Sequence, residues 1–190
     1  MFTGPNIVTD GLIFAIDAAN PKSYPGTGDV IYCLTPNYTS MTFIGNSDYG
    51  QIDNTAVHIT ASGLADDNGA ILYCSGTIST TINSDFTTTG WMYRTVTNSA
   101  EVFSYRQTWQ RLSFEILDNS ISFNQREISS PYTTNTTSVS VTNARNTWDH
   151  FALSKTGTSW SFYKNGEHLG TNTFTMTETV GGSGFHIGNA

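Results

Sequence analysis

Apolar and polar residues alternate in short runs along the chain, and clusters of Asn, Asp and Gly break those runs every few residues. Leu112, Phe114 and Ile116 alternate with Ser113 and Glu115. After Asp118-Asn119, Ile121 and Phe123 alternate with Ser122 and Asn124. A period of two with a turn between predicts a half-exposed hairpin with one face in the core. Residues 159–164, Asn165-Gly166 and residues 167–173 give the strongest hairpin signal, since Asn-Gly supplies both positive-φ positions of a type I′ turn. Residues 86–96 and 101–106 read as a third hairpin across Asn98-Ser99.

Shorter strands are expected at residues 30–34, 41–44, 56–59, 70–74 and 148–155. Residues 11–19 are apolar on both alternating faces and stop at Asn20-Pro21, which predicts an interior strand covered on both sides. Residues 21–29 hold two prolines and two glycines and form a long connection. The Thr/Ser/Asn tract 133–142 has only Val139 and Val141 as apolar anchors, so it is an edge strand or a surface loop. Gly181 to Gly184 bend into a last strand at Phe185-His186-Ile187, and the fold is expected to stop one strand early. About twelve to fourteen strands, with no helix and no repeat, predict two packed antiparallel sheets, a β-sandwich of jelly-roll type. Trp91 and Trp148, inside strands, are assigned to its core.

Composition supports this class. Thr (30), Ser (20) and Asn (16) together make 66 of 190 residues, while only 12% are charged. Thr suits a pleated surface, and Ser and Asn compete with helical backbone bonds. Twenty-four aromatic rings, 13% of the chain, are enough to build a core and exclude disorder. The length fits one domain over residues 1–190. Eight Lys and Arg against a net charge of −7 exclude a nucleic-acid groove and an anionic membrane surface. No run approaches the ~20 apolar residues of a membrane span, and the first residues lack a secretion signal. Cys33 and Cys74 sit in apolar runs and read as buried free thiols.

Three segments, in order, resemble the laminin-G-like, concanavalin-A-type jelly-roll domains of virion structural proteins from tailed bacteriophages. Asn6 to Gly28 matches a "G-L-[hydrophobic]-x-x-[hydrophobic]-D-A-x-N-P-x-S-Y-x-G" strand and loop. Phe86-Thr-Thr-Thr-Gly-Trp-Met-Tyr93 matches an "F-T-[hydrophobic]-x-x-W-[hydrophobic]" strand. Asn146-Thr-Trp-Asp-His-Phe-Ala-Leu-Ser-Lys155 and Trp160-Ser-Phe-Tyr-Lys-Asn-Gly-Glu167 match "W-x-H-[hydrophobic]-A" and "Y-x-N-G" segments. After Gly28 the chain departs, with Asp29-Val-Ile-Tyr-Cys-Leu34 in place of a Trp-x-Asp-Leu-Ser type segment. The resemblance implies a non-enzymatic, surface-exposed virion component, a capsid decoration or a tail or fibre appendage. Such a protein is made in the host cytoplasm, joins other virion proteins and is often a homo-oligomer. A carbohydrate-binding module or adhesin for host-surface glycans is the alternative on the same fold.

The chain offers little catalytic chemistry. Retaining glucanases need two carboxylates ~5–5.5 Å apart, but Glu115 and Asp118 are three residues apart and point to opposite faces of a strand. His58, His150, His168 and His186 lie on separate segments without metal-ligand spacing, so no metal or other cofactor is expected. Calcium would find only Asp17 and Asp66-Asp67-Asn68, which read as solvated turn acids. For a glycan, the candidate patch is Tyr105, Arg106, Trp109 and Arg111, with Trp109 in a hairpin loop where a large ring is costly to leave in water without a partner.

Overall fold

The computed structural model describes residues 10–35, 40–44, 50–53, 55–59, 71–74, 84–95, 100–107, 110–127, 134–176 and 184–188. Its strands are β1 (Val30–Tyr32), β2 (Ser40–Ile44), β3 (Gly50–Ile52), β4 (Val57–Ile59), β5 (Ile71–Cys74), β6 (Phe86–Tyr93) and β7 (Ala100–Gln107). Then follow β8 (Gln110–Ile116), β9 (Ser120–Glu127), β10 (Thr134–Ser140), β11 (Trp148–Thr156), β12 (Ser159–Lys164), β13 (Glu167–Thr173) and β14 (Phe185–Ile187). An eight-stranded sheet in the order β1-β2-β5-β14-β7-β8-β9-β10 lies over a four-stranded sheet in the order β13-β12-β11-β6, and β3-β4 form a small ribbon. Every pairing is antiparallel. The fold is the expected all-β sandwich of jelly-roll type.

The strongest turn signals behave as the backbone physics requires. Asn165 (φ 51°) and Gly166 (φ 83°) make the positive-φ pair between β12 and β13. Ile116 pairs with Ile121 across the β8–β9 turn. The tract 133–142 becomes edge strand β10, bonded to β9 alone in its sheet. Two expectations change. β6 and β7 are not a hairpin but belong to opposite sheets, because β6 finds its partner in β11, with Trp148 opposite Tyr93 and Lys155 opposite Phe86. Nor do residues 12–17 form a ladder strand. The segment joins none of the ladders and is held instead by Leu34 N–H donating to Ala15 O (2.8 Å) and by Thr35 Oγ1 donating to Ile13 O (2.7 Å).

The core fills the space between the sheets. Trp160 has no exposed surface; it stacks on Phe123 of the opposite sheet at 4.2 Å and donates its indole N–H to Phe174 O (2.9 Å). Phe103, Leu112, Phe114, Ile116 and Ile121 from the large sheet meet Phe151, Leu153 and Phe162 from the small one in the same cluster. Cys74 is buried and Cys33 half-buried; both are free thiols.

The motif 11–28 owes its residue types to loop closure. Ser23 N–H and Tyr24 N–H both donate to Asn20 O at 2.8 Å, and Ser23 Oγ reaches Tyr32 O. The buried Tyr24 hydroxyl contacts Gly28 O (3.1 Å) and Ile52 O (2.9 Å). Gly26 and Gly28 sit at φ near +90° (91° and 89°), where a Cβ would strain the backbone.

Candidate functional site: an exposed aromatic face

Alternation along β6 and β11 sorts their side chains between the core and solvent. In β6, Phe86 and Met92 turn inward to pack on the core, so Trp91 and Tyr93 point out. In β11 the inward set is Asp149, Phe151, Leu153 and Lys155, leaving Trp148 and His150 on the outer face. Trp91 is 67% exposed, Trp148 52% and Tyr93 45%. This corrects the assignment of both tryptophans to the core. Parity with Phe151 and Leu153 is the sequence signal that would have placed Trp148 outside; on β6, apolar residues at both parities obscure it.

The register joins these rings into a band. Tyr93 opposes Trp148 and Trp91 opposes His150, with ring centroids 5.6 Å and 5.2 Å apart. The two pairs are one strand repeat, about 7 Å, from each other. Tyr163 of β12 and His168 of β13, centroids 5.2 Å apart, extend the outer face to the far edge of the sheet. Polar groups hold the backbone and the ring of His150. His150 N–H donates to Asn165 Oδ1 (2.8 Å), and Asn165 Nδ2 donates to Asp149 Oδ1 (2.8 Å). Asp149 is also paired with Lys164 at 3.1 Å. On the ring itself, Nε2 of His150 lies 2.5 Å from Thr89 Oγ1. The rest of the face carries hydroxyls, with Thr87 against Ser154 (3.1 Å) and Ser161 against Thr171 (2.7 Å).

Where the strands of Tyr93 and Trp148 end, the chain forms an open polar cleft of about 450 Å³ lined by Thr95, Asp118, Asn143, Arg145 and Asn146, among others. Asn146, at φ 59°, donates its N–H to Arg94 O (2.9 Å) and so closes the cleft against β6. Arg94 is buried, bonded to Asp118 at 2.7 Å and donating to Asn143 O at 2.8 Å. Arg145 lies 3.6 Å from Asp118 Oδ2.

Of the patch expected from sequence, Trp109 lies outside the described residues, as do the side chains of Tyr105, Arg106 and Arg111. The backbone register does place Arg106 of β7 opposite Arg111 of β8, and Arg111 opposite Arg126 of β9, in one row across three strands. The two patches are on different sheets.

The histidines stay apart, each with its own partner. His58 bonds Asp53 (2.8 Å), His168 bonds Thr171 (2.9 Å), and His186 packs on Tyr73 at 5.3 Å. Asp53 accepts from the Thr55 hydroxyl (2.5 Å), from Ala56 N–H (2.9 Å) and from Thr55 N–H (2.7 Å). These bonds, the hydroxyl first, hold its carboxyl well below the usual carboxylate range. Of the calcium candidates, Asp17 accepts from Ala19 N–H (3.0 Å) in a turn, while residues 66–68 lie outside the described residues. Among the described residues no three His, Cys, Asp or Glu side chains converge on a metal position.

The sequence matches no protein-family model and no curated protein. Solved structures do resemble its fold. The binding domain of botulinum neurotoxin DC, in complex with rat synaptotagmin II, aligns with TM-score 0.62 and 10% identity over 96% of this chain and 45% of that one. The botulinum neurotoxin serotype C1 binding domain aligns with TM-score 0.62 and 12% identity over 94% and 43%. Domain 4 of AbnA, a GH43 extracellular arabinanase from Geobacillus stearothermophilus, in complex with arabinotriose, aligns with TM-score 0.56 and 15% identity over 93% and 84%. The chain thus spans less than half of the neurotoxin binding domains it matches and most of the arabinanase domain. What it shares with all three is the fold, the jelly-roll sandwich.

Proposed function

We propose that the chain is a non-catalytic glycan-binding module that holds its saccharide on the outer face of the four-stranded sheet. One observation carries this reading: Trp91, Tyr93 and Trp148 stand exposed in a single register-paired band. Exposed apolar surface of that kind marks a contact site. Aromatic faces carry negative quadrupole density that attracts the C–H-lined faces of sugar rings, while His150 and Thr89 offer hydrogen bonds beside them. The arabinanase domain of similar fold was solved with arabinotriose, which supports a saccharide as the ligand. Titration calorimetry against the best hit of a glycan array tests the proposal. Trp91→Ala and Trp148→Ala are each expected to weaken binding at least about tenfold without lowering Tm, the usual behaviour of a contact anchor. Unchanged affinity in both variants sinks the assignment of this face.

A finer reading rests on the resemblance of residues 6–28 to tailed-phage virion proteins. In it the module is an adhesion surface on a capsid decoration or tail appendage, assembled with other virion proteins in the host cytoplasm. Immunogold labelling of particles purified from a host lysate tests this. Gold on capsid or tail supports it, and unlabelled particles remove it while leaving the glycan reading untouched.

A further inference from the structure

We propose that the polar cleft beyond Tyr93 and Trp148 is a subsite for a carboxylate-bearing sugar residue, with Arg145 as its anion-recognising group. The proposal rests on the glycan-binding reading above and adds the class of saccharide. Position comes first. Thr95 follows Tyr93 by two residues and Asn146 precedes Trp148 by two, so a chain of sugars leaving the aromatic band at that pair enters the cleft. Its volume, about 450 Å³, lies within the range of small-molecule sites.

Charge comes second. Among the described residues, the cationic groups at the cleft are Arg94, Arg145 and, through its bond to Thr142 O (3.1 Å), Lys164; the anionic ones are Asp118 and Asp149. Asp149 is matched by Lys164 and Asp118 by Arg94 at 2.7 Å. Arg145 is left as the surplus positive charge, in a chain whose net charge is −7. Its 3.6 Å separation from Asp118 exceeds hydrogen-bond range, and it is 44% exposed, so its planar fork can take a carboxylate bidentately.

The third element is a fixed wall. Asn143 is 5% exposed, and its Nδ2 donates to Leu117 O (2.6 Å) and Ser120 O (3.1 Å), which holds the backbone beside Arg145 in place. A uronic or sialic-type residue offers the carboxylate that Arg145 would take.

The experiment compares a panel of immobilised glycans with neutral, hexuronic and sialic-type termini, then measures the preferred acidic glycan against its carboxyl-reduced form by calorimetry. The acidic form is expected to bind at least about tenfold tighter at low salt, with the preference shrinking at high salt. Arg145→Gln, at an exposed position, is expected to equalise the two forms. Equal binding of both forms that is still abolished by Trp148→Ala overturns the subsite and leaves the aromatic face standing. A preference that survives Arg145→Gln also overturns it. Absence of any retained glycan overturns both readings together.

Discussion

The outer faces of the two sheets invert the usual arrangement of polar and apolar residues. Towards the middle of the large sheet the outward positions include Ser104, Ser113, Ser122 and Glu101, and all four are buried, Ser104 with no exposed surface at all. On the small sheet the outward positions carry Trp91, Tyr93 and Trp148, and they stand in solvent. Ordinary sandwiches bury the rings and expose the hydroxyls. Covered polar groups need partners among themselves, as Ser113 Oγ finds in Glu115 (2.6 Å). Uncovered rings instead have contact surface to offer, which is why binding is assigned to the smaller sheet.

Three tests would break or sharpen that contrast, and the largest concerns two tryptophans of the small sheet. Trp160→Ala, in the core against Phe123 and Phe174, is expected to cost about 3–5 kcal/mol, whereas Trp91→Ala should stay within about 0.5 kcal/mol; urea melts of both variants decide. If Trp91→Ala proved as damaging as Trp160→Ala, the aromatic face would be packing surface.

Next, a carboxylate placed on each outer face should report its covering. Ser122→Asp, buried and opposite Glu115, is expected to cost about 3 kcal/mol or more as an unpaired buried charge. Thr87→Asp, exposed on β6, should again lie within about 0.5 kcal/mol by thermal denaturation. A smaller effect is expected at Asn165→Ala, which removes the acceptor of His150 N–H and one of the two positive-φ turn residues. About 1–2 kcal/mol should be lost, with a changed His150 ring environment visible by NMR.

The smallest effect lies away from both faces, in the β3–β4 ribbon. Asp53 should remain ionised in acid far below the ordinary value near 3.9, and Thr55→Val should move its NMR titration midpoint upward. Any stability from this carboxylate is present above the ordinary carboxylate range and is lost as pH falls through its lowered midpoint. A wild-type midpoint at the ordinary value would remove the hydroxyl bond from the account.

How much of this was legible depends on whether the information is local. The Asn165-Gly166 turn and the alternation of Leu112, Phe114 and Ile116 specify hairpins from neighbours in sequence, and both form as read. Within that second hairpin, the half-exposed face failed: Ser113 and Ser122 are buried, since a serine's residue type does not say what lies over it. The β6–β7 pairing failed for a related reason. Both segments are good strands, and only the fit of β6 along β11 decides that they separate into different sheets.

Sequence alone determined the all-β class, most strand positions and the principal turns, because propensity, pleat period and positive-φ turn chemistry act over a few residues. The tertiary structure decided which face of each strand became core and which distant segments met. Trp91, Tyr93, Trp148 and His150 come from strands more than fifty residues apart in the chain. Their assembly into one exposed band follows from long-range register and from the covering of one sheet face but not the other, and neither is encoded in any single segment.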